Sequence, residues 1–236
     1  MDEGALLAVR NLCVEVEGAA ILSDISFDIR AGSIVGLVGE SGCGKTTLAL
    51  AILKLLAPER YRVRGEVRLR GRNLLALSER ELEAVRGAEM AMIFQVPLLA
   101  LNPVLRAGTQ VAEAMRAHGV APGASGVGEA LRRAGLADWR RIAAAYPHQL
   151  SGGERQRVTI AQALACRPAL VIADEPFTAL DAERVVELAA LFRSLRGELG
   201  TSFLLISHHP GVIAKTADAV LTMERGRMVA CCESAN

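Results

Sequence analysis

The run Gly39-Glu40-Ser41-Gly42-Cys43-Gly44-Lys45-Thr46 constrains this chain more than any other stretch. It fits the phosphate-loop pattern in full, and its flanks are those the pattern requires. Ser33–Val38 reads as a short buried strand, with Ile34 and Val35 leading into the turn. Thr46–Leu56 is apolar almost all round and reads as a helix buried on most sides. Glycines let backbone N–H groups face inward around a β-phosphate, and the helix N-terminus adds positive potential. Lys45 is expected to reach the β- and γ-phosphates, and the Thr46 hydroxyl to ligate Mg²⁺. The expected nucleotide-binding set is Gly39, Glu40, Ser41, Gly42, Cys43, Gly44, Lys45, Thr46 and Thr47. A glycine-rich turn with an incidental lysine would need neither flank, so the flanks decide between the two.

Leu170-Val171-Ile172-Ala173-Asp174-Glu175 is an apolar run ending in two carboxylates. A buried strand that delivers acids at its C-terminal end puts them at the ligand-binding edge of an α/β sheet. Asp174 is expected to hold Mg²⁺ through water, and Glu175 to polarise an attacking water. By itself, such a run could be a strand ending in solvent; a complete phosphate loop upstream makes it a partner of that loop.

Further strands are expected at Ala91–Phe94, Phe203–Ile206 and Val220–Met223. Glu183–Arg196 places Val185, Leu188, Phe192 and Leu195 at helical spacing. Strands alternating with helices predict a parallel sheet wrapped by helices. Leu6–Val16 and Gly65–Arg70 alternate as half-exposed strands of an antiparallel sheet do. Residues 96–150 lack strand signals and read as a helical insertion, with helices near Gly108–Ala117 and Glu129–Ala134 and a loop at His118–Gly128. The expected fold class is therefore α/β: a P-loop NTPase core with a parallel sheet, an antiparallel N-terminal β-subdomain and a helical insertion, as one domain over 1–236.

Composition removes several functions. Hydrophobic residues make up 51% of the 236, which supports a large core and argues against disorder. Formal net charge is +1 with both signs interspersed, so nucleic acid is not expected as a partner. No apolar run reaches the roughly 18 residues needed to span a bilayer. Asp2 and Glu3 precede Leu6–Leu7 with no basic segment leading a long apolar one, so no secretory signal is expected. The five cysteines, Cys13, Cys43, Cys166, Cys231 and Cys232, lack metal-ligand spacing and suit a reducing compartment.

Leu150-Ser151-Gly152-Gly153-Glu154-Arg155-Gln156 resembles the signature motif of the ABC (ATP-binding cassette) ATPase family. Other elements of that family follow in order. Gln95 matches the Q-loop, Ala179-Leu180-Asp181 the D-loop, and His208 the switch histidine. The resemblance spans residues 39 to 208 and implies ATP as the nucleotide, with Mg²⁺ held by Thr46, Gln95 and Asp174. It implies Glu175 and His208 as catalytic residues. Ser151, Gly152, Gly153 and Gln156 would act on the ATP of a second ATPase subunit, identical or not, with Asp181 at the shared interface. Ser151 caps a helix whose free N–H groups make an anion site, and Gly152 and Gly153 permit close approach.

Leu101-Asn102-Pro103-Val104, Tyr146-Pro147-His148-Gln149 and Ile172-Ala173-Asp174-Glu175-Pro176 resemble importers of the dipeptide, oligopeptide and nickel type. That subgroup implies transmembrane permease subunits, a solute-binding protein acting indirectly, and a place at the cytoplasmic face of the bacterial inner membrane. A nickel or other metal importer, a non-transport ABC ATPase of DNA repair or translation, and a regulatory nucleotide-binding module are the alternatives. Four departures from the family pattern stand out. His209 occupies a usually acidic position, leaving open which histidine faces ATP; Met1–Ser26 holds no aromatic to stack on adenine; Val96 replaces an acid after Gln95; and the sequence stops at Asn236.

Overall fold

A computed structural model describes residues 4–95, 100–178 and 180–233. Asp2, Glu3, Val96, Ala179 and Asn236, named above, lie outside the described residues. Two sheets organise the chain. The first is four-stranded, in the order β2-β1-β4-β5, from β1 (Ala5–Val16), β2 (Ala19–Arg30), β4 (Tyr61–Leu69) and β5 (Arg72–Asn73). The second is six-stranded, in the order β10-β9-β3-β8-β7-β6. Its strands are β3 (Ile34–Val38), β6 (Met90–Ile93), β7 (Leu170–Asp174), β8 (Ser202–Ser207), β9 (Ala219–Glu224) and β10 (Arg227–Glu233). Pairing is antiparallel in the first sheet and parallel through the second, except at the β9–β10 hairpin.

The central strands read as unbroken apolar runs because both their faces are covered. Val171, Ala173, Phe203 and Leu205 enter one core, against α6 (Gly152–Leu164), α7 (Ala182–Leu199) and α8 (Pro210–Thr216). Leu170, Ile172, Leu204 and Ile206 enter the other, against α1 (Lys45–Ile52) and the antiparallel sheet. Between β6 and β7 lie α3 (Ala107–Ala117), α4 (Ala124–Arg133) and α5 (Trp139–Ala144), followed by α6. A short α2 (Glu79–Val85), with a Ser78–Glu81 capping box, precedes β6.

Two expectations need correction. The helix expected to run to Leu56 ends at Ile52, because Lys54 turns left-handed (φ 51°). The Lys54 N–H donates to Ala51 O (3.0 Å) and the Leu55 N–H to Leu50 O (2.8 Å), which closes the last turn. The Lys54 ammonium then reaches the carbonyls of Leu75 and Leu77 at 3.0 and 2.8 Å. The loop expected at His118–Gly128 overlaps a helix, since α4 starts at Ala124. Gly128 is there for packing: a Cβ on it would lie 3.0 Å from the Trp139 ring.

Gly36 sets the distance between the sheet and α8. It sits in mid-β3, and a Cβ there would lie 2.0 Å from Ile213 Cγ2. Gly36→Ala should therefore cost about 1–3 kcal/mol through overpacking. The double variant with Ile213→Ala should recover part of that loss, giving a favourable coupling in a double-mutant cycle followed by urea unfolding.

Candidate functional site

Parallel register brings the chemistry to one sheet edge. Val38 pairs with Ser207, Asp174 with Ile206, and Ile93 with Ala173. The segments that leave these strands (Gly39 onward, Glu175, His208 and Gln95) therefore emerge side by side.

The loop at Gly39–Gly44 turns through Gly42 and Gly44 at φ 80° and 105°, and Gly44 is the N-cap of α1. Gly39 tolerates no side chain, since a Cβ would fall 2.3 Å from the Met223 carbonyl oxygen. Lys45 is 6% exposed, and its ammonium donates to the carbonyls of Gly39 and Glu40, each at 2.9 Å. The cation is thus held across the mouth of its own loop.

Thr46 Oγ1 donates to Asp174 Oδ2 at 2.8 Å. Asp174 Oδ1 is buried and has no hydrogen-bond partner among the described residues. Burial pushes the Asp174 carboxyl above the ordinary carboxylate range, and Glu175 adds to the rise. The Thr46 hydrogen bond and the charge of Lys45 pull it the other way. A hydroxyl beside an orphaned carboxylate oxygen, joined by the Gln95 amide in the same cleft, is a hard-oxygen donor set suited to a divalent cation.

Glu175 has φ 49°, a left-handed conformation uncommon for a side chain of its size. Its N–H donates to Ile206 O at 2.9 Å, which anchors the turn to β8. Its Oε2 lies 2.8 Å from His208 Nδ1 and accepts from the Thr178 hydroxyl at 3.3 Å. The His208 ring packs on that of His209 with centroids 3.9 Å apart. Of the two histidines, His208 is the one that contacts Glu175. His209 turns to a separate cleft shared with Arg193 and Lys215.

A cleft of about 690 Å³ collects Ser41, Gly42, Cys43, Gly44, Lys45, Thr46, Thr47, Gln95 and Glu175. Ala20, Ile21, Arg225 and Gly226 also line it, and sequence reasoning missed all four. The signal available was Arg225-Gly226 as a hairpin turn between two alternating strands. Ser151 and Gly153 line a different cleft, of about 290 Å³, which shares no residue with the first. Ser151 Oγ caps α6 by accepting from the Glu154 N–H at 3.2 Å, and Glu154 Oε2 accepts from the Ser151 N–H at 2.8 Å. That N–H, with Arg141 contributing less, holds the Glu154 carboxyl below its ordinary range. Nothing crowds Gly152 or Gly153. Gln156 lines the same cleft as Ser151 and Gly153, and its amide donates to the Pro176 carbonyl of its own chain. Asp181 caps α7, accepting from the Arg184 N–H at 2.9 Å.

A family profile described as "ABC transporter" matches residues 22–178. Over 232 residues the chain is 45% identical to the probable peptide ABC transporter ATP-binding protein y4tR of Sinorhizobium fredii, covering 95% of this chain and 69% of that protein. Over 242 residues it is 41% identical to the glutathione import ATP-binding protein GsiA of Escherichia coli K12, covering 97% of this chain but only 39% of that protein. The ATP-binding cassette MJ0796, solved as a dimer in a post-hydrolysis state with ADP and Pi, superposes with a TM-score of 0.85 at 27% identity. That match covers 98% of this chain and 99% of MJ0796.

The orphaned Asp174 oxygen makes a prediction about the protein free of nucleotide and metal. An acid with a raised folded pKa stabilises the fold below its unfolded pKa and loses that contribution as pH rises through the folded value. Asp174→Asn should therefore be more stable than wild type at neutral pH by about 1–3 kcal/mol. The difference should shrink toward about pH 4, where the unfolded carboxyl also takes up its proton. Urea titrations at both pH values, with chelator present, check the sign and the trend.

Proposed function

The chain belongs to the ABC transporter family, and from that membership we propose that it is the ATP-binding and ATP-hydrolysing subunit of a bacterial peptide importer. The observation that carries the proposal is one cleft lined by Lys45, Thr46 and Glu175, with Asp174 hydrogen-bonded to Thr46 and His208 to Glu175. The peptide cargo rests on the names of the relatives: one is a peptide transporter protein, and glutathione, the cargo of another, is a tripeptide.

In this reading the N–H groups of residues 39–46 and the Lys45 ammonium hold the phosphates of ATP. Thr46 and Asp174, with Gln95 nearby, would hold Mg²⁺, which would supply charge neutralisation to the phosphates. Glu175 orients the attacking water and accepts its proton. His208, fixed on Glu175 at 2.8 Å, is placed to donate to the γ-phosphate as charge builds there.

The signature end of α6 faces its own cleft, so a nucleotide held by the phosphate loop has no route to Ser151 and Gly153 of the same chain. A second ATPase subunit, docked head to tail, supplies the ATP that this end contacts, a reading supported by the dimeric structure of MJ0796. Among the described residues no helix is long and apolar enough to cross a membrane. Attachment to the cytoplasmic face therefore runs through permease subunits. The cleft beside Gln95, where Phe94 is 47% and Leu55 42% exposed, is the surface offered to them.

Two experiments test these assignments. Glu175→Gln should keep ATP binding and lower steady-state hydrolysis by on the order of 10²–10⁴ in the assembled transporter; turnover within twofold of wild type would remove Glu175 as the base. Gly153→Asp should leave this subunit's own ATP affinity nearly unchanged while abolishing ATP-dependent dimerisation, because a carboxylate would meet the partner's γ-phosphate. Normal dimerisation of that variant, by sedimentation, would reduce the motif to a helix cap.

A further inference from the structure

The turn Arg225-Gly226, between β9 and β10, closes one side of the nucleotide cleft and is fixed there from two directions. The Gly226 N–H donates to Cys43 O in the phosphate loop at 3.0 Å, and Gly226 O accepts from the Ser23 N–H of β2 at 2.8 Å. Gly226 passes so close to β2 that a Cβ on it would lie 2.0 Å from Ile21 O. Its φ of 74° excludes ordinary side chains as well. Arg225, itself at φ 45°, is thereby held at the rim by its neighbours' backbone bonds. Its side chain is exposed, and its guanidinium makes no hydrogen bond or ion pair among the described residues.

Strand order says which part of a nucleotide arrives at this rim. The sequence β9-β3-β8-β7 puts the phosphate loop, which follows β3, between the Arg225 turn and the carboxylates after β7. At ordinary strand spacing β9 and β7 are about 14 Å apart. That span suits a nucleoside triphosphate with its γ-phosphate at Glu175 and its base at Arg225 and Ile21. Among the described residues, no aromatic ring lines the cleft. A purine is a flat π-surface, and a guanidinium is a flat, weakly hydrated cation that stacks on such surfaces where an ammonium does not.

We propose that Arg225, with Ile21 beneath it, forms the stacking platform for the purine base. The proposal rests on the nucleotide-binding reading of the cleft and extends it to specificity. A stacked guanidinium reads the face of the ring rather than its hydrogen-bonding edge, so adenine and guanine are both accepted.

The test is competition of ATP, GTP and inorganic tripolyphosphate against a fluorescent nucleotide, on the purified full chain with Mg²⁺. Arg225→Ala should weaken ATP and GTP each by roughly three- to tenfold and leave tripolyphosphate within about twofold. Arg225→Trp should restore purine affinity and Arg225→Lys should not. Unchanged ATP affinity in Arg225→Ala overturns the proposal. So does an equal loss for tripolyphosphate with rescue by lysine, which would make Arg225 a phosphate contact. Arg225→Ala should unfold at the wild-type midpoint, so lost binding is not lost fold. Lys45→Ala separates the two levels of the argument. If wild type binds neither ATP nor tripolyphosphate and Lys45→Ala changes nothing, the nucleotide reading itself fails; if Lys45→Ala abolishes all binding and Arg225→Ala changes none, only the platform fails.

Discussion

The parallel pairing of β3 with β8 and of β8 with β7 is the constraint on which the rest of the structure depends. Each strand contributes side chains to two cores, so a one-residue slip would send each apolar set into the core packed for the other. The register is correspondingly strict: Ile34 through Val38 pair residue for residue with Phe203 through Ser207. Because all these strands point the same way, a fixed register also fixes the ends. The loop glycines, the Asp174–Glu175 pair and His208 are neighbours only because Val38, Asp174 and Ser207 stop at matching heights. Packing in the interior thus sets the geometry at the edge, and Gly36 shows how tightly. The helix that follows His209 is seated on β3 at a point where even a methyl group would collide with Ile213.

What was legible in the sequence followed from how local its cause was. The phosphate loop, the apolar strand ending in two acids and the long α7 are each specified by adjacent residues, and the α/β class followed from their alternation. The capping of α6 by Ser151 was also local, since a serine followed three residues later by Glu154 is a cap signal in itself. Strand β2 was not recognised, because Asp24 at φ 54° inserts a bulge that breaks the alternation between Leu22 and Ile25. Gly128 misled in the opposite direction. A glycine chosen for contact with Trp139, eleven residues further on, looks in sequence like a glycine chosen for a turn. Lys54 ended α1 early through a left-handed turn that composition does not announce. The Arg225 rim was invisible for the same reason: its position depends on bonds to Cys43 and Ser23, which are distant in the chain.

The two polar ends of the molecule differ in how fully they are satisfied, and that difference has a chemical meaning. At the phosphate loop a buried ammonium, an orphaned carboxylate oxygen and a left-handed glutamate sit together. Each is unfavourable in an isolated fold and is tolerated because the cores on both sheet faces over-determine the backbone beneath it. Such groups lower the cost of receiving a ligand, since part of their desolvation has already occurred in folding. At the N-terminus of α6, by contrast, Ser151 and Glu154 close a reciprocal pair of hydrogen bonds and Asp181 caps the adjacent α7. The Ser151 hydroxyl accepts from the Glu154 N–H in that cap and also hydrogen-bonds the Glu154 carboxylate. The uncrowded N–H groups of Gly152 and Gly153 are donors only, held rigid by the cap behind them. In the proposed function, one end of the chain would bind through groups kept in tension, and the other through donors fixed in place. On that reading, an anion already bound at the first end of a partner subunit is the ligand that the second end of this chain would meet.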